Sequence, residues 1–247
     1  MTQPLYGKYD YCINSWLSDC KRQASLPALF FLLQESGLQH ADNYGFGWID
    51  MQKYNCFWAL YRINVRVEEY PKWQDAVTIE TWSKKPDTLL AHRDFEMFRQ
   101  GKKILSATSD WLLLNGERKP QKIATIDKQF PILDRKAFDK VMAKLPAHNP
   151  DKTSVSAVKT IPYSAMDINE HVNNTCYLQW VIDELPANYV LNSEIGEAEI
   201  NYLQESLMGQ QFRVFIEERL PDEYLCSITR YPDNRDLAKM ILKFNRK

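Results

Sequence analysis

Residues 28–33 read A-L-F-F-L-L, six apolar side chains in a row. Ser25 precedes them as an N-cap, and Pro27 falls in the first turn, where a missing amide does no harm. Gly37 predicts the end of that helix. A helix apolar on every side has to be covered by other structure. The residues that follow suit that task. From Phe57 to Val67 the odd positions are Phe, Ala, Tyr, Ile, Val and Val, while the even positions from Arg62 onward are polar. That is period two, a strand with one covered face. Further strands are predicted over 76–82, 89–99 and 104–114, with a hairpin turn at Gln100-Gly101. A Tyr-rich stretch, 5–13, predicts an edge strand before the helix.

The second part of the chain repeats this layout. A strand is predicted near 155–161 and a helix over about 174–186, stopped by Pro186. Four strands follow, near 196–206, 211–219, 222–230 and 237–245, with turns at Pro221-Asp222 and Pro232-Asp233-Asn234. Between the two repeats, residues 116–154 are dense in Lys, Asp and Pro and predict a linker with one short helix near 135–144. The expected class is therefore α+β. Two tandem antiparallel sheets would each wrap around a long buried helix, in units 1–115 and 155–247. Hydrophobic residues make up 45% of the chain, enough for two such cores.

Other classes fit poorly. A net charge of −1 argues against a nucleic-acid binder. The longest apolar run, 27–33, is far too short for stable membrane insertion. Five cysteines contain no C-x-x-C pair, so neither a disulfide framework nor a metal site is indicated, and a reducing cytoplasm is expected. The opening MTQPLYGKYD lacks the apolar core of a signal peptide. No cofactor motif is present.

Chemistry concentrates in residues 167–180, D-I-N-E-H-V-N-N-T-C-Y-L-Q-W. On an extended backbone, alternate side chains share a face, so Asp167, Asn169 and His171 would converge. Asn173 or Asn174 would cap the next helix, whose first amides carry partial positive charge. An acid, an amide, an imidazole and a helix start together can hold a developing oxyanion. Spacing alone equally allows ordinary capping chemistry.

The pattern D-x-N-x-H-V-N-N-x-x-Y-x-x-W resembles the catalytic segment of acyl-ACP thioesterases, the plant fatty-acyl chain-terminating enzymes and their bacterial relatives in the hotdog superfamily. Residues 199–206, E-I-N-Y-L-Q-E-S, are similar to the strand that supplies a Glu in that family. The resemblance implies a double hotdog, with a catalytic set of Asp167, Asn169, His171 and Glu205 in the C-terminal half and acyl-tunnel walls in the N-terminal half. It implies hydrolysis of fatty acyl-ACP to free fatty acid and holo-ACP, ending chain elongation, with acyl carrier protein as partner and no cofactor. Plant members typically carry Cys where Ser206 stands, which speaks against a thiol nucleophile there. The absence of a plastid transit segment points to a bacterial-type enzyme. One chain supplies two hotdogs, and a homodimer is compatible with that.

In residue terms, Glu205 is the favoured general base, since a carboxylate among apolar residues has a raised pKa. His171 and Asn169 would orient water and carbonyl, and Asp167 would orient the loop. The reverse assignment of the two carboxylates stays open. So do an acyl-CoA thioesterase, a hotdog hydratase or dehydratase, and a non-catalytic acyl-binding protein. Cys176 reads as packing. Trp58, Trp82 and Trp111 are tunnel or core residues. Lys84, Lys85, Arg93, Arg99, Lys102, Lys103, Arg118, Lys119 and Lys122 make the first half and linker locally basic, which would attract an acidic carrier.

Overall fold

The computed structural model describes residues 4–245. The outermost positions of the predicted ranges 1–115 and 155–247 lie outside the described residues. Antiparallel sheet dominates and helices are few. The chain divides into two compact units, up to Val141 and from Met142 onward.

In the N-terminal unit, β1 (Tyr6–Cys12) is followed by α1 (Leu26–Asn43) and a short α2 (Trp48–Gln52). Then come β2 (Cys56–Val67), β3 (Ala76–Lys84), β4 (Leu90–Arg99), β5 (Lys102–Asn115) and β6 (Pro120–Gln121). All pairings within this sheet are antiparallel, in the order β1-β3-β4-β5-β2, with β6 also on β5. Gln100 and Gly101 both have positive φ, at 50° and 77°. That is the two-residue hairpin geometry whose twist matches its flanking strands.

Ser25 caps α1, its hydroxyl accepting from the Ala28 amide at 3.2 Å. The helix packs on β1 and β3 and buries Leu29, Phe30 and Leu33 completely. It is not covered all round, because Phe31 and Leu38 remain exposed. Nor does it stop at Gly37; it runs to Asn43. A Cβ on Gly37 would stand 3.2 Å from Arg93 Cδ and 3.4 Å from the Phe95 ring. This glycine allows close helix–sheet approach rather than serving as a C-cap. Phe30→Ala should cost about 3–5 kcal/mol, read as a lower urea midpoint with unchanged slope.

No helix forms at 135–144. The segment has no regular structure and is held by the sheet instead. The Trp82 indole donates to the Arg135 carbonyl at 2.8 Å, and the Ala137 amide donates to Asp94 at 2.9 Å. Arg135 stacks over the Trp82 ring and pairs with Glu80 and Glu96. Those partners satisfy backbone groups that a helix would otherwise pair internally.

The C-terminal unit contains β7 (Thr153–Val155), β8 (Lys159–Thr160), α3 (Asn174–Glu184) and α4 (Ala187–Asn192). It continues with β9 (Glu194–Tyr202), β10 (Gln211–Leu220), β11 (Glu223–Tyr231) and β12 (Asp236–Asn245). The order is β9-β12-β11-β10, with β7 and β8 both on β10 and every pairing antiparallel. α3 packs on β10 and β11 through Tyr177, Leu178 and Val181, leaving Gln179 and Asp183 exposed. It is shorter and more one-sided than expected. Among the described residues no helix is long and apolar enough to cross a membrane.

Candidate active site

The 167–171 segment is a tight turn, not an extended strand. Met166 and Val172 pair across it as an antiparallel bridge, and the Asp167 amide donates to the His171 carbonyl at 2.7 Å. The Asp167 carboxylate fills the turn. Its Oδ1 accepts from the amides of Asn169 at 2.8 Å and His171 at 3.3 Å. Glu170 takes φ of 62° to close it. A short acidic side chain that captures the amides two and four residues on is a strong turn former. The expected convergence of Asp167, Asn169 and His171 therefore does not occur. Period two holds only for extended backbone, and here Asn169 sits exposed at the tip of the turn.

His171 and Glu205 are brought together. His171 Nε2 lies 3.6 Å from Glu205 Oε2, with the two side chains 14% and 32% exposed. A backbone bond fastens the two loops, the Val172 amide donating to the Ser206 carbonyl at 3.1 Å. Glu205 lies beyond the end of β9, in a loop, and is partly exposed. The sheet positions it through the chain reversal after Tyr202, not through strand register.

Helix α3 begins beside the turn. Asn173 is its cap and accepts from the Thr175 amide at 2.9 Å and the Thr175 hydroxyl at 2.7 Å. The Asn173 carbonyl takes the Cys176 amide at 2.9 Å. Two first-turn donors are thus already engaged. The Tyr202 hydroxyl donates to the Asn174 carbonyl at 3.1 Å, pinning the helix start to β9. Burial pushes the Tyr177 hydroxyl up to about 12, opposed by the nearby Ser206 hydroxyl, so it stays protonated. The Ser206 side chain is completely buried beside the Tyr177 hydroxyl.

Cys176 is a poor nucleophile. Burial raises its thiol pKa, and the negative charge of Asp167 raises it further. A thiol held protonated does not attack. Its Sγ faces the Ala165 carbonyl at 3.8 Å. Cys176→Ala should leave kcat within about twofold of wild type, checked by steady-state assay.

The N-terminal unit holds a cavity of about 100 Å3, with Leu38, Phe46, Trp58, Trp111 and Phe130 among its walls. Of the three tryptophans, Trp58 and Trp111 reach this space, whereas Trp82 is sealed in the core. Five of the nine residues of the expected basic patch pair with acids. Arg99 pairs with Asp75 at 2.8 Å and with Glu69, Lys102 pairs with Glu69 at 2.8 Å, and Lys103 pairs with Glu96 at 3.2 Å. Lys84 pairs with Asp94 at 2.6 Å, and Lys119 with Glu117 at 2.8 Å. Arg93 is not on the surface patch at all; it lines the cavity.

Comparison with known proteins finds matches along most of the chain. Residues 5–130 match the acyl-ACP thioesterase N-terminal domain, and residues 148–244 match the C-terminal domain. The oleoyl-acyl carrier protein thioesterase 2 of Arabidopsis thaliana chloroplasts is 25% identical over 242 residues, covering 90% of this chain and 65% of that protein. The chain thus spans less than two thirds of the length of the first curated relatives it matches. Among solved structures, the 12:0-ACP thioesterase from Umbellularia californica superposes with a TM-score of 0.89 at 23% identity, covering 100% of both chains. An acyl-ACP thioesterase from Bacteroides thetaiotaomicron gives 0.87 at 24% identity, covering 97% of this chain and 98% of that one. At these identities the structural matches establish the fold.

Proposed function

Because the chain belongs to the acyl-ACP thioesterase family, we propose that it is an acyl-[acyl-carrier-protein] thioester hydrolase. It would release free fatty acid and holo-ACP from fatty acyl-ACP. We read the two units as two hotdogs, the C-terminal one carrying the chemistry and the N-terminal cavity receiving acyl chain. The observation that carries the reading is the approach of His171 to Glu205 beside the capped start of α3.

Hydrolysis needs a water activated, an oxyanion held and a thiolate protonated. Glu205 is the general base. It is half-buried, and its carboxylate stands close enough to His171 for one water to hydrogen-bond both. The separation exceeds a direct hydrogen bond and suits a bridging water. Glu205 takes the water proton as the hydroxyl attacks the thioester carbon. The tetrahedral intermediate collapses, the C–S bond breaks, and the proton passes to the departing phosphopantetheine sulfur. Within the proposed set His171 orients the water, Asn169 meets the substrate from the turn's exposed tip, and Asp167 holds the turn.

The structure favours Glu205 over Asp167 as base for a concrete reason. Asp167 Oδ1 is already committed to two backbone amides. That oxygen holds the turn and is not free to approach a water.

The test is thiol release from purified protein with acyl-ACP, quantified together with free acid. Equimolar thiol and acid from a catalytic amount of protein support the proposal. Acyl-ACP left intact while crotonyl or 3-hydroxyacyl thioesters gain or lose water would replace hydrolysis by hydratase chemistry.

A further inference from the structure

The N-terminal cavity contains a charge that its walls do not account for. Arg93 lines it, in period-two register with Phe95 and Met97 on β4. Its Nη1 donates to His40 Nδ1 at 2.9 Å and to Thr81 Oγ1 at 3.1 Å, and its Nη2 donates to Ser83 Oγ at 3.3 Å. All three acceptors are neutral. Among the described residues Arg93 forms no ion pair with a carboxylate. Nearby acids are engaged elsewhere: Asp94 with Lys84 at 2.6 Å, and Asp110 with His92 at 2.7 Å.

The state of His40 follows from the same bonds. By accepting from Arg93 at Nδ1, the ring must carry its proton on Nε2. Burial, helped by the Arg93 charge, lowers its pKa to about 3, so the imidazole is neutral. Its Nε2 is buried and has no partner. Burial lowers Arg93 to about 10, which still leaves it charged at neutral pH. The cavity therefore holds a cation with no acid to match it. Arg93 is only partly exposed; a charge drawn out of water is ordinarily paired, and a guanidinium fork fits a carboxylate well.

We infer that this cavity binds the carboxylate of an amphipathic monocarboxylic acid, with Arg93 as counter-ion. Phe46, Trp58, Trp111 and Phe130 receive the hydrocarbon body. The inference stands on the cavity alone. If the proposed hydrolysis is also right, this ligand class is the enzyme's own product, and the site gives product inhibition that depends on the acid's charge.

Calorimetric titration with decanoate, decanol and methyl decanoate tests the assignment. Decanoate should bind about tenfold tighter than either neutral analogue. Arg93→Met should abolish that preference, and Arg93→Lys should keep part of it. Equal affinity for all three ligands, or a preference untouched in Arg93→Met, overturns the inference. Should Arg93→Met fail to fold, a crystal of the wild-type chain with decanoate decides. The carboxylate must lie within hydrogen-bond distance of Arg93; a head group placed elsewhere overturns it. No thioester is present in these experiments. Running them in parallel on Glu205→Gln separates this site from the hydrolytic assignment.

Discussion

Glu205→Gln should lower kcat by about 10²–10⁴-fold while leaving the protein folded. Gln keeps the volume of Glu and can still hydrogen-bond a water, but it cannot take that water's proton. The change falls on a side chain that is 32% exposed and lies in a loop beyond β9. Stability should therefore move by less than about 0.5 kcal/mol. The measurement is kcat with acyl-ACP, paired with a thermal melt. A large fall in kcat at unchanged melting temperature identifies Glu205 as the base. Wild-type kcat in Glu205→Gln would move the base elsewhere.

The second large effect separates two roles for Asp167. As a turn-holding residue it works through Oδ1, which accepts from the amides of Asn169 and His171. Asn keeps that oxygen. Asp167→Asn should therefore retain kcat/KM within about tenfold of wild type. Ala removes the acceptor and releases both amides, so the turn loosens and His171 drifts from Glu205. A misplacement of about 1 Å costs on the order of 10² in rate, and Asp167→Ala should fall by that much or more. The two kcat/KM values decide the role. If Asn is as inactive as Ala, the charge of Asp167 matters to chemistry and the reverse carboxylate assignment gains ground.

Much of the architecture was legible because burial imposes a period. The run A-L-F-F-L-L and the alternation from Phe57 to Val67 correspond to α1 and β2 within a residue or so at their predicted starts. Misreadings arose where one residue type serves two physical purposes. Gly37 looked like a helix stop because glycine favours C-caps, but its missing Cβ instead admits Arg93 and Phe95. The expected helix at 135–144 failed because Asp94 and Trp82, distant in sequence, supply its hydrogen bonds. Helices α2 and α4 are too short for periodicity to register.

At the site, residue types were easier to read than geometry. His171 and Glu205 meet, though nothing local to either shows that the Val172 amide binds the Ser206 carbonyl and joins their loops. Asn169 was misplaced because the Asp167 carboxylate bends the backbone into a turn. The unusual setting of Arg93 did leave a signal. It shares strand parity with Phe95 and Met97, so a charge stands on an apolar face. Counting it with the surface lysines hid that.

The most direct test of the proposed function is thiol release with matched acyl-ACP and acyl-CoA panels over several chain lengths. The proposal predicts higher kcat/KM for the ACP thioester at each productive chain length. Faster hydrolysis of the CoA forms would reassign the carrier while keeping the same residues in play. No thiol release from any acyl-ACP would contradict the proposal outright.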